Sequence, residues 1–164
     1  MTTIAHFSMP ANDPKRSAAV LAEMMGGEAL PFPPGGIDSW MAWSNDGAVE
    51  IEITRRGLVL AFGSDQVEWR SDGVARELSD AHIALCIECP AAEVIAIATR
   101  AGWPARRCVR GGNLFDLTEV WVEGAFLIEV LDPVQTARYR AVVTPTNWKH
   151  LLGRPRSQQS APDS

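Results

Sequence analysis

The chain has 164 residues, of which 46% are hydrophobic and 21% charged, and a formal net charge of −5. That length and balance allow one compact unit with a sizeable buried core, and the acidic surplus excludes a broad basic surface for nucleic acid or anionic membrane. No apolar run approaches a membrane span and the N-terminus lacks a signal-peptide pattern, so the expected location is cytoplasmic.

Residues 4–10 alternate as a short strand, with His6 and Ser8 on one face and Phe7 and Met9 on the other. Asn12 and Asp13 supply helix-capping chemistry, and Pro14 suits the first helical position. Ala18, Leu21, Ala22 and Met25 then recur at helical spacing up to Gly26. The prolines and glycines of 28–36 permit only a short or edge strand. Residues 39–44 and 48–54 read as strands joined by Asn45-Asp46-Gly47. In the second of these, Val49, Ile51 and Ile53 oppose Glu50 and Glu52.

The same programme restarts at His82. An offset of 76 carries His6 to His82, Pro14 to Pro90, Leu21 to Ile97, Gly26 to Gly102, and Gly35-Gly36 to Gly111-Gly112. After one extra residue the offset becomes 77, linking Gly47 to Gly124, Ile51 to Ile128 and Glu52 to Glu129. A register preserving helix starts, turn glycines and carboxylates together indicates a duplication. The expected fold is therefore α+β: two βαβββ modules forming a curved, half-open barrel around a central cleft. The first module spans 1–62, a connector 63–80, the second module 81–133, and a C-terminal extension and tail 134–164. The connector is expected to add a strand or ordered loop across the mouth of the cleft. In the extension, 136–143 fits a helix or a strand, 146–152 a short helix, and the end a flexible tail.

Within 81–90, Ile83, Leu85 and Ile87 share one face while His82, Ala84, Cys86 and Glu88 share the other. Cys86, Cys89 and Cys108 form an odd set, and no second pair completes a zinc ribbon with Cys86 and Cys89. Packed, reduced thiols are expected. Parity puts His6, Glu52, His82 and Glu129 on the faces turned away from the helices, where a common groove would gather them. Two imidazoles and two carboxylates suit a divalent first-row metal such as Ni, Co, Zn, Fe or Mn. Such an ion would leave room for substrate oxygens, with a displaced carboxylate moving a proton. Glu50 shares a face with Glu52 and is the competing ligand; the repeat selects Glu52 because Leu127 stands opposite Glu50 in the alignment. Arg100, Arg106, Arg107 and Arg110 are expected on a solvated helix-end and loop face, with an anionic substrate tail as the alternative partner.

On these residues the chain resembles the vicinal oxygen chelate superfamily, which includes glyoxalase I, extradiol dioxygenases, fosfomycin-resistance and bleomycin-binding proteins. The resemblance covers about 4–133, and its best local matches are His82-Ile83-Ala84-Leu85 and Gly124-Ala125-Phe126-Leu127-Ile128-Glu129. It implies metal ligation by His6, Glu52, His82 and Glu129, as in bacterial glyoxalase I, with Glu129 the catalytic base and Glu52 assisting. The implied function is a metal-dependent glyoxalase-type lyase or isomerase acting on a small molecule. The alternatives are a non-catalytic drug- or metabolite-binding protein of the bleomycin-resistance type and, third, a dioxygenase. A homodimer is compatible, with modules paired within one chain or exchanged between two. The second hairpin, Val122-Glu123-Gly124, departs from the family's usual turn, and no glutathione-binding set is recognisable.

Overall fold

The computed structural model of the protein describes residues 6–33, 38–62, 67–71, 81–110, 113–144, 146–147 and 150. The first repeat contains β1 (His6–Ala11), α1 (Pro14–Met24), β2 (Ala29–Pro31), β3 (Trp40–Trp43) and β4 (Glu50–Arg55). A hairpin of β5 (Leu58–Phe62) and β6 (Val67–Ser71) follows, forming a two-stranded sheet of its own. The second repeat contains β7 (Ile83–Cys86), α2 (Ala91–Ala101), β8 (Ala105–Arg110), β9 (Phe115–Val122) and β10 (Phe126–Leu131), and α3 (Pro133–Val142) closes the order.

The repeats fold alike. Their sheets run β1-β4-β3-β2 and β7-β10-β9-β8, and each pairs its first and last strands in parallel. Phe7 lies opposite Ile51 and Ile83 opposite Ile128, so both repeats keep one register at the offsets of 76 and 77. The architecture is α+β, with two four-stranded sheets, a hairpin and three helices, and no closed barrel among the described residues.

Local chemistry explains the elements. Asp13 accepts the Arg16 N–H at 3.0 Å, and Pro14, needing no hydrogen-bonded N–H, starts α1. Gly102 ends α2 in the left-handed region at φ 77°, where glycine has no Cβ penalty. β2 is a three-residue edge strand containing Pro31, since a proline lacks the donor an inner strand needs. Met9, Ala11, Ile51 and Ile53 face α1, while Leu85, Val120, Val122, Ile128 and Val130 belong to the same continuous core beneath α2. Fully burying each larger aliphatic side chain contributes about 1.5–3 kcal/mol.

Two expectations change, and one open choice between helix and strand is settled. The 105–110 stretch is strand β8, not a loop, because it pairs along its length with β9. His82 precedes β7 instead of opening it. Residues 136–143 fall largely in α3, where Asp132 and Gln135 cap each other reciprocally and buried Gln135 also donates to Asp116. Gly35, Gly36, Gly111 and Gly112, most of the connector and residues 151–164 lie outside the described residues.

The repeats are tied together across the core. Glu123, at the β9–β10 turn, accepts the N–H groups of Asn12 (2.6 Å) and Asp13 (2.8 Å), placing a carboxylate at the start of α1. The Arg56 guanidinium approaches the same carboxylate at 3.7 Å. Arg16 donates to the Ala101 carbonyl at the end of α2, and Arg100 pairs with Glu23 on α1. No helix among the described residues is long and apolar enough to cross a membrane.

Candidate functional site

Strand alternation puts His6 and Ser8 of β1 on the open face of the first sheet, beside Glu50 and Glu52 of β4. His6 sits between the two carboxylates, with Nδ1 3.5 Å from Glu50 Oε1 and Nε2 3.8 Å from Glu52 Oε1. The Ser8 hydroxyl donates to Glu52 Oε2 at 2.6 Å, which orients Glu52 and leaves its other oxygen towards the imidazole. Glu50 and Glu52 both point to the open face, because Ile51 and Ile53 take the buried one.

The second sheet repeats this frame with different chemistry. Glu129 pairs across to Ala84 and to Glu119, and Ala84 occupies the place that Ser8 holds in the first repeat. Its Oε1 lies 3.7 Å from Arg110 Nη2. His82, exposed just before β7, makes interactions of its own. Glu119 is the main residue the sequence reading missed. It is 3% exposed, yet it takes hydrogen bonds from Arg106 Nε at 2.8 Å and from Arg110. Burial pushes the Glu119 carboxyl up, but the bonds from Arg106, Arg110 and Cys108 outweigh it and hold the group at about 2. Burial, and then Glu119, push the Cys108 thiol up. The alternation of Arg106, Cys108 and Arg110 opposite Glu119 was the available signal.

The same alternation splits the arginine group. Arg107 turns to the other face, where its Nε donates to Asp116 at 2.6 Å. Asp116 also accepts from Gln135 at 3.1 Å and lies 3.6 Å from Arg138. Burial raises that carboxyl, while Gln135 and Arg107 more than reverse the effect. The arginines are engaged by carboxylates on a strand instead of the loop expected, while the Arg106 and Arg107 side chains remain solvated, as expected.

Two ligands in neighbouring positions around a first-row cation stand about 3–3.5 Å apart, given bonds near 2.1 Å. The His6 Nε2–Glu52 Oε1 separation of 3.8 Å is close to that span, and a neutral imidazole with a carboxylate is a suitable donor set. Glu129 is accessible on its open face but shares Arg110 with Glu119. Among the described residues, no three His, Cys, Asp or Glu side chains form one group spaced for a metal ion. Thus the structure joins His6 with Glu50 and Glu52, and does not bring His6, Glu52, His82 and Glu129 to one point within one chain. All three cysteines are free.

No family model and no curated protein matches the chain. Solved structures do. Fosfomycin resistance protein FosX from Mesorhizobium loti is similar at 13% identity and a TM-score of 0.52, over 84% of this chain and 98% of that one. A mutant of the genomically encoded FosX from Listeria monocytogenes, complexed with Mn(II) and 1S,2S-dihydroxypropylphosphonic acid, is similar at 14% identity. Its TM-score is 0.53, over 86% and 98% of the two chains. With the duplicated βαβββ order and common register, the chain has the fold of these solved structures.

Proposed function

We propose that this chain is a divalent-metal-dependent enzyme on the vicinal oxygen chelate fold, transferring a proton on a small chelated molecule in a glyoxalase-type isomerase or lyase reaction. His6, Glu52, His82 and Glu129 are the proposed ligands. The observation carrying this reading is the His6–Glu52 pair at 3.8 Å, with Glu52 oriented by Ser8 on the open face. A bound divalent cation would supply Lewis-acid polarisation of a substrate oxygen. Glu129 is the proposed base, since it stands on the repeat-equivalent open face with its charge balanced by Arg110. Glu52 assists from the other repeat, its position kept by the Ser8 hydroxyl. Since these four residues are not one group within one chain, we place the complete site between the first repeat of one copy and the second repeat of another. The fold shared with a structure complexed with Mn(II) and a phosphonic acid supports a divalent ion and a small oxygen-rich ligand.

The test begins with elemental analysis of wild type, Glu52→Gln and Glu129→Gln, before and after reconstitution with Ni, Co, Zn or Mn, alongside light scattering for mass in solution. We expect near-stoichiometric metal in a wild-type dimer and loss of metal from both variants. Turnover of a methylglyoxal–thiol hemithioacetal, followed as thioester formation, tests the reaction. Wild type that takes up no metal refutes the site. Metal-loaded protein that consumes fosfomycin but not the hemithioacetal moves the chemistry to epoxide opening, and ligand binding without turnover supports the sequestering alternative.

A further inference from the structure

The seam between the repeats holds a feature that extends beyond the proposed metal ligands, of which its described lining includes only His6. A cavity of about 590 Å³ opens where β1 and β7, each an edge strand of its sheet, pass the end of α1 and the start of α2. Its size falls within the range of about 300–1,000 Å³ common for small-ligand sites. Phe7, Met24, Leu85 and Ile87 contribute apolar walls. Glu23, Asp46, Glu50, Glu88 and Glu93 also line it, with no lysine or arginine among the described lining residues.

Arg100, from outside the lining, pairs with Glu23. Glu50 stands 3.5 Å from the imidazole of His6, also in the lining, and Asp46, Glu88 and Glu93 have no arginine or lysine beside them among the described lining residues. Asp46 is held below the usual carboxylate range by the Ser44 hydroxyl at 2.7 Å and then by the Ala48 N–H at 3.1 Å. Burial, and then Glu93, push the Cys89 thiol up, so near neutral pH it is an S–H group that leaves the local negative charge to Glu93. We infer that this cavity binds an organic cation, an amine or quaternary ammonium carried on an apolar body.

Two physical arguments set that class. The apolar body would lose water against Phe7, Leu85, Ile87 and the adaptable Met24, a gain of about 25 cal/mol per Å² of apolar surface. The charged head would meet the carboxylates, most of them exposed, where an anion would be opposed. An organic head presents a broad charged surface and can face carboxylates that are set apart.

The experiment is isothermal titration of the full chain in EDTA with phenylbutylammonium. Phenylbutanol and phenylbutyrate serve as neutral and anionic molecules with the same body. We expect saturable binding of the cation, at least tenfold weaker binding of the alcohol, and none of the carboxylate. Glu88 and Glu93 are exposed, so a Glu88→Gln/Glu93→Gln variant should fold, as thermal melting will show. It should weaken the cation about tenfold and leave the alcohol unchanged, and Glu93→Lys should allow the carboxylate to bind. Equal affinity for the three probes, no binding of the cation at millimolar concentration, or unchanged affinity in both variants would overturn the inference. EDTA, and variants outside the proposed ligands, keep this outcome separate from that of the metal site.

Discussion

Replacing Glu119 by Gln tests whether the double arginine clamp stabilises the second sheet. Holding the carboxyl at about 2 instead of 4.5 corresponds to roughly 3 kcal/mol at neutral pH. Glu119 itself is buried, but the Arg106 side chain is 71% exposed and that of Arg110 37%. Solvent screening of these partners reduces the expected contribution to about 1–2 kcal/mol. Because the folded-state value is depressed, the stabilisation is complete above about pH 5 and drains away as pH falls from 4.5 towards 2. Urea unfolding of wild type and Glu119→Gln across pH 2.5–7 measures it. Wild type should lead by about 1–2 kcal/mol near neutrality, and the lead should shrink steadily below pH 4.5. A difference that stays constant through that range, or a more stable variant at pH 7, would refute the reasoning; Asp46 and Asp116 titrate in both proteins and cancel.

Other changes probe separate links. Arg110→Met removes the guanidinium 3.7 Å from Glu129 and should tighten Mn(II) binding about tenfold by calorimetry, through loss of a competing cation; unchanged affinity would place Arg110 outside the metal's influence. Glu123→Ala strips the Asn12 and Asp13 N–H groups of their acceptor and should lower stability by about 1–3 kcal/mol, seen as a lower urea midpoint with an unchanged slope. Gly27→Ala would bring a Cβ within 2.0 Å of the Trp43 carbonyl oxygen, a main-chain atom, and should cost at least about 2 kcal/mol in thermal or urea unfolding. At Gly47 an added Cβ meets nothing within 4 Å, so Gly47→Ala should show only the smaller cost of positive φ, about 1 kcal/mol.

The two repeats were legible in sequence because their signals are local. Period-two alternation marked β1, β4 and β7, proline and capping residues marked α1 and α2, and turn glycines kept the phase between copies. Parity alone placed His6, Ser8, Glu50 and Glu52 on one face, since each strand must turn its aliphatic residues towards a helix. The arginine-rich stretch was misread because Ala105–Arg110 has little apolar character of its own. β9 makes it a strand, supplying pairing partners and, in Glu119, a buried counter-charge.

Sequence by itself determined the duplication, the α+β class and the residue types on each open face, all of which follow from spacing along one chain. Tertiary structure alone decided which side chains meet. His6 shares Glu50 and Glu52, Arg110 reaches both Glu119 and Glu129, and Glu123 crosses to the start of α1. Those contacts depend on how sheets and helices pack at separations of up to 111 residues, and no local periodicity encodes them. The acidic cavity between β1 and β7 arises in the same way: its carboxylates are scattered from Glu23 to Glu93, and only the meeting of the two repeats gathers them around an apolar space.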